Sequence, residues 1–253
     1  DGALLSRARL SRYPHADTAA LVRRLEEEGA SLIASDGVFS MDGDLAPLPE
    51  LVEAARGASA WLMVDDAHGL GVLGREGRGC LEYFGLDSDQ VPILVGTLGK
   101  AFGTFGAFVA GSGELIETLI QHARSYVYTT APPPALAQAT RASLAIVRRE
   151  PWRRRRLEEL IERFRREALA LGIPLMVSST PIQPILAGSV ERALAWSRYL
   201  EQRGILVSAI RPPTVPEGSA RLRVTFCAAH THDDLDRLLE ALAGLPDRQS
   251  ACP

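Results

Sequence analysis

An α/β protein with a mostly parallel sheet, followed by a smaller α+β domain, is the fold class this sequence predicts. Three observations lead there. Short continuous apolar runs recur in the first part without polar alternation, as expected of strands buried on both faces. Helical patterns separate these runs, which gives the strand–helix–strand order of a parallel sheet. After Pro151 the pattern changes to short strands interleaved with helices, so a second domain is expected.

Residues 31–35 (Ser-Leu-Ile-Ala-Ser) form the first predicted strand, and residues 47–55 a helix opened by prolines. Residues 61–64 (Trp-Leu-Met-Val) and 93–95 (Ile-Leu-Val) give the second and third strands. Residues 106–110 give a fourth, which follows the third with too few residues for a crossover helix. Pro132-Pro133-Pro134 breaks the chain before a helix running to about Val147. Beyond Pro151 a long charged helix ends near Gly172. Strands are then expected at 175–178, 182–186, 205–208 and 221–226, with helices at 190–202 and 233–243. The predicted division is residues 1–148 for the larger domain and 149–253 for the smaller.

Hydrophobic content of 46% and charged content of 23% are ordinary for a globular protein. A net charge of −3 points to no polyanionic partner, so nucleic acid is not expected. No apolar stretch approaches the ~20 residues of a membrane helix, and no membrane partner is expected. Cys80, Cys227 and Cys252 are odd in number and widely spaced, which predicts reduced thiols in a cytoplasmic protein. The chain opens on Asp1-Gly2 without an initiator methionine, so a further N-terminal portion is expected upstream.

Of 28 Lys+Arg, one is lysine, hence 27 are arginine. That lysine is Lys100. Arginine stays protonated near neutral pH, whereas a lysine amine can lose its proton and attack a carbonyl. Thr97-Leu98-Gly99-Lys100-Ala101-Phe102-Gly103 follows the third strand, which places this amine on a tight turn just beyond it. Val64-Asp65-Asp66-Ala67-His68-Gly69 puts two carboxylates and a histidine at the C-terminal edge of the second strand, where open α/β sheets collect ligands. Either aspartate could meet a cationic nitrogen or merely cap the following turn.

Three other patterns are read as structural. Gly99, Gly103 and Gly106 do not make a dinucleotide fingerprint, because they lead into a strand and not a helix. Arg153 to Arg156 resemble a nucleic-acid patch. Yet Arg154–Glu158, Arg155–Glu159, Glu159–Arg163 and Glu162–Arg166 all fall at i,i+4, which predicts a solvated, salt-bridged helix face. His230-Thr231-His232-Asp233-Asp234 could pass for a metal cluster, but Thr231 with Asp234 predicts a helix N-cap.

Four segments together resemble the α-oxoamine synthases, a branch of the aspartate-aminotransferase-like enzymes that use pyridoxal 5'-phosphate (PLP). They are residues 36–44 (Asp-Gly-Val-Phe-Ser-Met-Asp-Gly-Asp), 64–69, 96–103 and 221–225 (Arg-Leu-Arg-Val-Thr). The resemblance implies an aspartate-aminotransferase-like (type I PLP) large domain, incomplete at its N-terminus, and a smaller α+β C-terminal domain. It implies that Lys100 carries PLP, that Asp65 partners the pyridine nitrogen, and that His68 with Ser40 meets the phenolic oxygen. Thr97 would hold the phosphate, with Thr130 reaching across the interface of a homodimer. Arg223 would bind the amino acid's carboxylate, and Thr214 would line the acyl site. Residues 181–185 and 209–216 are most similar to the branch acting in biotin synthesis, which joins L-alanine to pimeloyl-CoA or pimeloyl-acyl carrier protein. A sister synthase, or a non-catalytic homologue of the fold, are the alternatives. The portion of the family expected upstream supplies a histidine stacked on the ring and further phosphate contacts.

Overall fold

A computed structural model describes residues 2–246, so Cys252 lies outside the described residues. The chain folds into two units. One comprises Asp1–Gly37, Ala46–Gly74 and Arg78–Leu144, the other Val38–Leu45, Arg75–Gly77 and Ala145–Pro253. Against a division at 148/149, the contacts draw the line between Leu144 and Ala145. They also assign two short stretches from the first half of the sequence to the second unit.

The first unit holds α1 (Gly2–Leu5), α2 (Thr18–Glu28), β1 (Leu32–Asp36), α3 (Leu48–Gly57), β2 (Trp61–Asp65), α4 (Cys80–Phe84), β3 (Ile93–Thr97), β4 (Ala107–Ala110), α5 (Gly113–His122) and α6 (Arg124–Val127). The start of α7 (Pro134–Arg149) belongs to it too. The sheet order is β1-β2-β3-β4. The first three strands are parallel and β4 runs antiparallel to β3, as its short connection requires. Ile33, Leu62, Val64 and Ile93 bury the sheet, and α3 covers it with Leu48, Leu51, Val52 and Ala55 at i, i+3, i+4 and i+7. The parallel register sets Asp36 beside Asp65, and Asp65 beside Val95. Carboxylates therefore gather where β1 and β2 end.

The second unit holds α8 (Trp152–Ala170), β5 (Ile182–Gly188), α9 (Val190–Glu201), β6 (Ser208–Ile210), β7 (Ala220–Thr225) and α10 (His232–Ala243). Its sheet is antiparallel in the order β5-β7-β6. The core is built from Leu160, Ile161 and Phe164 of α8, Trp196 and Leu200 of α9, Leu222 of β7, and Leu235 and Leu242 of α10. Thr231 caps α10 through the N–H of Asp234, whose carboxylate accepts from the Thr231 N–H in return. The histidine–aspartate run is thus a helix start, as expected.

Three sequence expectations are corrected in this unit. Residues 175–178 do not form a strand. Leu175 makes one isolated bridge to Ile185, and Ser178 turns inward. The strand expected at 205–208 begins at Ser208, because the N–H groups of Arg203, Gly204 and Ile205 are taken by carbonyls at the end of α9. Arg154 leaves the solvated helix face altogether: it is buried and donates to the Val147 and Arg75 carbonyls at 2.8 and 2.7 Å. Ion pairs of α8 instead link Arg163 to Glu167 and to Asp236 of α10, Arg166 to Glu167, and Arg153 to Glu150.

Candidate functional site

In the first unit the site residues stand at the C-terminal ends of parallel strands. β2 ends on Asp65, and the chain turns at once, the N–H groups of Gly69 and Leu70 bonding back to the Asp66 carbonyl. Asp65 stays at the edge, half-buried, and its Oδ1 accepts from the Ala67 N–H at 3.0 Å. Asp66 goes the other way. It is 0% exposed, and its Oδ2 accepts from the Cys80 N–H at 2.8 Å. Burial pushes its pKa up to about 6, against the opposing pull of Cys80. Gly79 makes this possible: at φ +82° it needs no side chain, and a Cβ there would overlap the Asp66 carboxylate. The two aspartates thus differ in geometry: Asp66 is buried against Cys80, while Asp65 stays at the edge and accepts from the Ala67 N–H.

Lys100 sits in the turn between β3 and β4. That turn is closed by Leu98 N–H to the Gly106 carbonyl, Gly103 N–H to the Lys100 carbonyl, and Thr104 N–H to the Leu98 carbonyl. The Lys100 side chain is exposed, and its Nζ lies 2.9 Å from His68 Nε2. Two turns from adjacent parallel strands thus bring together the amine and the imidazole that lie 32 residues apart. Thr97 Oγ1 accepts from the Gly99 N–H and donates to the Gly106 carbonyl, bracing the turn that holds the lysine. Asp36 joins this edge although no role was read for it in the sequence. Its carboxyl is held above the ordinary range by burial and the charge of Asp65, with Lys100 opposing. The signal was its place at the end of β1, in register with Asp65.

Ser40 and Arg223 belong to the second unit. The stretch Val38–Leu45 doubles back on itself, Val38 bridging Leu45 and the Phe39 N–H bonding the Asp44 carbonyl. The hydroxyls of Ser178 and Thr180 both donate to the Gly43 carbonyl at 2.8 Å. At φ +70°, Gly43 packs so closely that a Cβ would overlap the Ile182 carbonyl. Arg223 Nη1 donates to the Ser40 carbonyl at 3.1 Å, while its Nε is buried without a hydrogen-bond partner. Arg221, two residues earlier on the same face of β7, pairs with Asp42. Neither Arg221 nor Asp42 was read as part of the site. Thr130 follows α6 and Thr214 lies in a turn closed on the Arg211 carbonyl; both are exposed, and no side-chain bond ties either to these groups among the described residues.

In the first unit an amine stands against an imidazole at a parallel strand edge, chemistry suited to a carbonyl, and in the second a buried unsatisfied guanidinium donor is suited to a carboxylate. The chain belongs to the family of class I and II aminotransferases, whose model matches residues 1–242. Among its relatives is 8-amino-7-oxononanoate synthase of Stutzerimonas stutzeri, 63% identical over 244 residues, which cover 96% of this chain and 62% of that protein. The serine palmitoyltransferase of Sphingomonas wittichii is similar in structure, with a TM-score of 0.93 and 29% identity over all of this chain and 64% of its own. The crystal structure of 8-amino-7-oxononanoate synthase from Francisella tularensis gives a TM-score of 0.84 and 34% identity, covering 96% of this chain and 70% of that one. These relatives are α-oxoamine synthases, so the resemblance read from the four motifs holds. The chain spans about three fifths of the length of the curated relatives it matches.

Proposed function

We propose that this chain carries the lysine-centred part of the active site, and the carboxylate-binding arginine, of an 8-amino-7-oxononanoate synthase. The whole protein would condense L-alanine with a pimeloyl thioester, of CoA or acyl carrier protein, with loss of CO2 and the thiol carrier. The observation that carries this reading is the 2.9 Å approach of the chain's sole lysine amine to His68 Nε2 at the edge that Asp65 shares. The relatives named above favour alanine and a pimeloyl thioester over the substrates of sister synthases. Retention of the lysine disfavours a non-catalytic homologue.

The donor set fits PLP, with an amine for its aldehyde, an imidazole on that amine and a carboxylate for its ring nitrogen. When bound, PLP supplies an electron sink that allows a proton to leave the α-carbon of an amino acid. Lys100 would hold the aldehyde and its Nζ would accept that proton, while His68, whose Nε2 lies against the amine, would orient it and partner the phenolic oxygen. The Asp65 carboxylate, oriented by the Ala67 N–H, would partner the ring nitrogen. Ser40 would assist at the phenolic oxygen. Thr97 would hold the phosphate, with Thr130 contributing across the interface of a homodimer. Arg223 takes the alanine carboxylate with its unsatisfied Nε and remaining N–H groups. Thr214 lines the acyl site.

Borohydride reduction of the PLP-loaded full-length enzyme, followed by peptide mapping, tests the first part. One tagged peptide is expected, the one containing Lys100, and a tag elsewhere overturns the assignment. Product analysis with alanine, glycine and serine against pimeloyl-CoA tests the second. Preference for alanine is expected; preference for glycine or serine would assign a sister synthase.

A further inference from the structure

Arg221 and Arg223 lie on one face of the central strand β7, while Leu222 and Val224 face the core. Their surroundings differ in one respect that matters electrostatically. Arg221 is 3% exposed and paired: Nε donates to the Ser219 carbonyl at 2.9 Å, and Nη1 donates to Asp42 Oδ1 at 2.5 Å and to the Met41 carbonyl at 3.4 Å. Arg223 has the Ser40 carbonyl, a buried unsatisfied Nε and, among the described residues, no carboxylate partner. Asp42 is two residues from Ser40 on the same short stretch. A carboxylate is thus anchored within one strand step of the arginine that must stay free for a substrate carboxylate.

We propose that Arg221 is a positioning residue for amino-acid binding: by holding Asp42, it keeps that carboxylate off Arg223. The proposal rests on the reading of Arg223 given above. The Arg221–Asp42 pair is neutral as a unit, so the charge on Arg223 remains uncompensated until the amino acid arrives. Without Arg221, Asp42 would be left as a partly buried unpaired charge, and the nearest cation on the same strand face is Arg223. An internal carboxylate would then compete with the substrate's own. Such competition weakens binding of the amino acid and leaves the chemical step largely untouched.

The test uses the full-length enzyme and steady-state kinetics with L-alanine. Arg221→Gln should raise KM for alanine by ~10-fold or more while kcat changes by less than ~3-fold, the signature of lost ground-state binding. Adding Asp42→Asn to Arg221→Gln removes the competitor and should return KM towards the parent value. In crystals of the Arg221→Gln enzyme, Asp42 should stand within hydrogen-bond distance of Arg223. An unchanged KM in the single variant, or a double variant as impaired as the single one, overturns the proposal. If Arg221→Gln does not fold, the double variant decides by itself, since it leaves no unpaired charge: a parental KM supports the proposal and a raised KM overturns it. Arg223→Gln separates the two levels of inference. If it leaves KM for alanine unchanged, the carboxylate-binding role of Arg223 fails; if it raises KM while Arg221→Gln does not, only the role of Arg221 fails.

Discussion

Asp65 and Asp66 are neighbours at one strand end, and alternation of side chains there sends one carboxylate to the edge and the other inward. Their variants should therefore fail differently. Asp65→Asn keeps the shape but removes the charge proposed to partner the cofactor's ring nitrogen. Turnover should fall by ~10²-fold or more, about 3 kcal/mol of transition-state stabilisation, with the circular dichroism spectrum unchanged. Asp66→Asn should act on stability. Its folded pKa of about 6 lies above the ordinary value of 3.8, so the folded state binds the extra proton between those two pH values. Stability from this group is fully present below about pH 4 and is lost as pH rises through about 6, amounting to ~3 kcal/mol. Melting temperature measured from pH 4 to 7 should fall less steeply in Asp66→Asn than in the parent. An identical slope in both would remove Asp66 as the source.

At the scale of elements, the same chemistry appears as capping and clamping. The capping box of α10 satisfies backbone N–H groups that the first helical turn leaves open. Thr231→Ala should lower unfolding free energy by about 1 kcal/mol, read from urea denaturation. Strands were legible where a continuous apolar run leaves little alternative, as at 61–64 and 93–95, although full burial falls on one face of β2, at Leu62 and Val64, and Trp61 is 56% exposed. The antiparallel turn-back of β4 was legible too, since no crossover helix fits between Thr97 and Ala107. The segments at 175–178 and 205–208 were misread because hydrogen bonds from distant or preceding residues override apolar content. Ser178 serves the Gly43 carbonyl, and the N–H groups before Val207 serve the end of α9, leaving Leu206 88% exposed. The helices α2 and α5 were not read from the sequence, although Asp17 and Ser112 cap them.

Among the described residues, exposed large apolar side chains recur from Phe105 to Ile146 as well as at Leu5, Val177 and Leu206. The helices α5, α6 and α7 contain no buried residue, and Phe105 and Tyr128 nearby in sequence are 72% and 74% exposed. Among the described residues, no helix is long and apolar enough to cross a membrane, so these side chains are not a membrane span. Three successive helices without a buried residue leave their apolar side chains uncovered in this chain. Residues 1–253 expressed alone should accordingly bind the dye ANS and show negligible condensation of alanine with pimeloyl-CoA beside the full-length enzyme. Comparable turnover from the shorter chain would show that its site is complete in itself.

The sequence by itself determined the α/β class, the family and the identity of Lys100, since these rest on local features. They are apolar runs, contiguous motifs and a residue type whose chemistry is independent of its neighbours. Asp65, His68, Ser40, Thr97 and Arg223 were likewise named from motifs, as roles awaiting a geometry. Only the tertiary structure decided which of two adjacent aspartates is buried, that His68 meets the lysine amine, and that Asp36 shares their edge. It also assigned Asp42 to Arg221 and, among the described residues, left Arg223 without a carboxylate partner. These outcomes depend on register between strands and on contacts across as many as 183 residues of chain, as between Arg223 and Ser40. Charge pairing and burial are decided by distance in space, and distance along the chain carries almost no information about it.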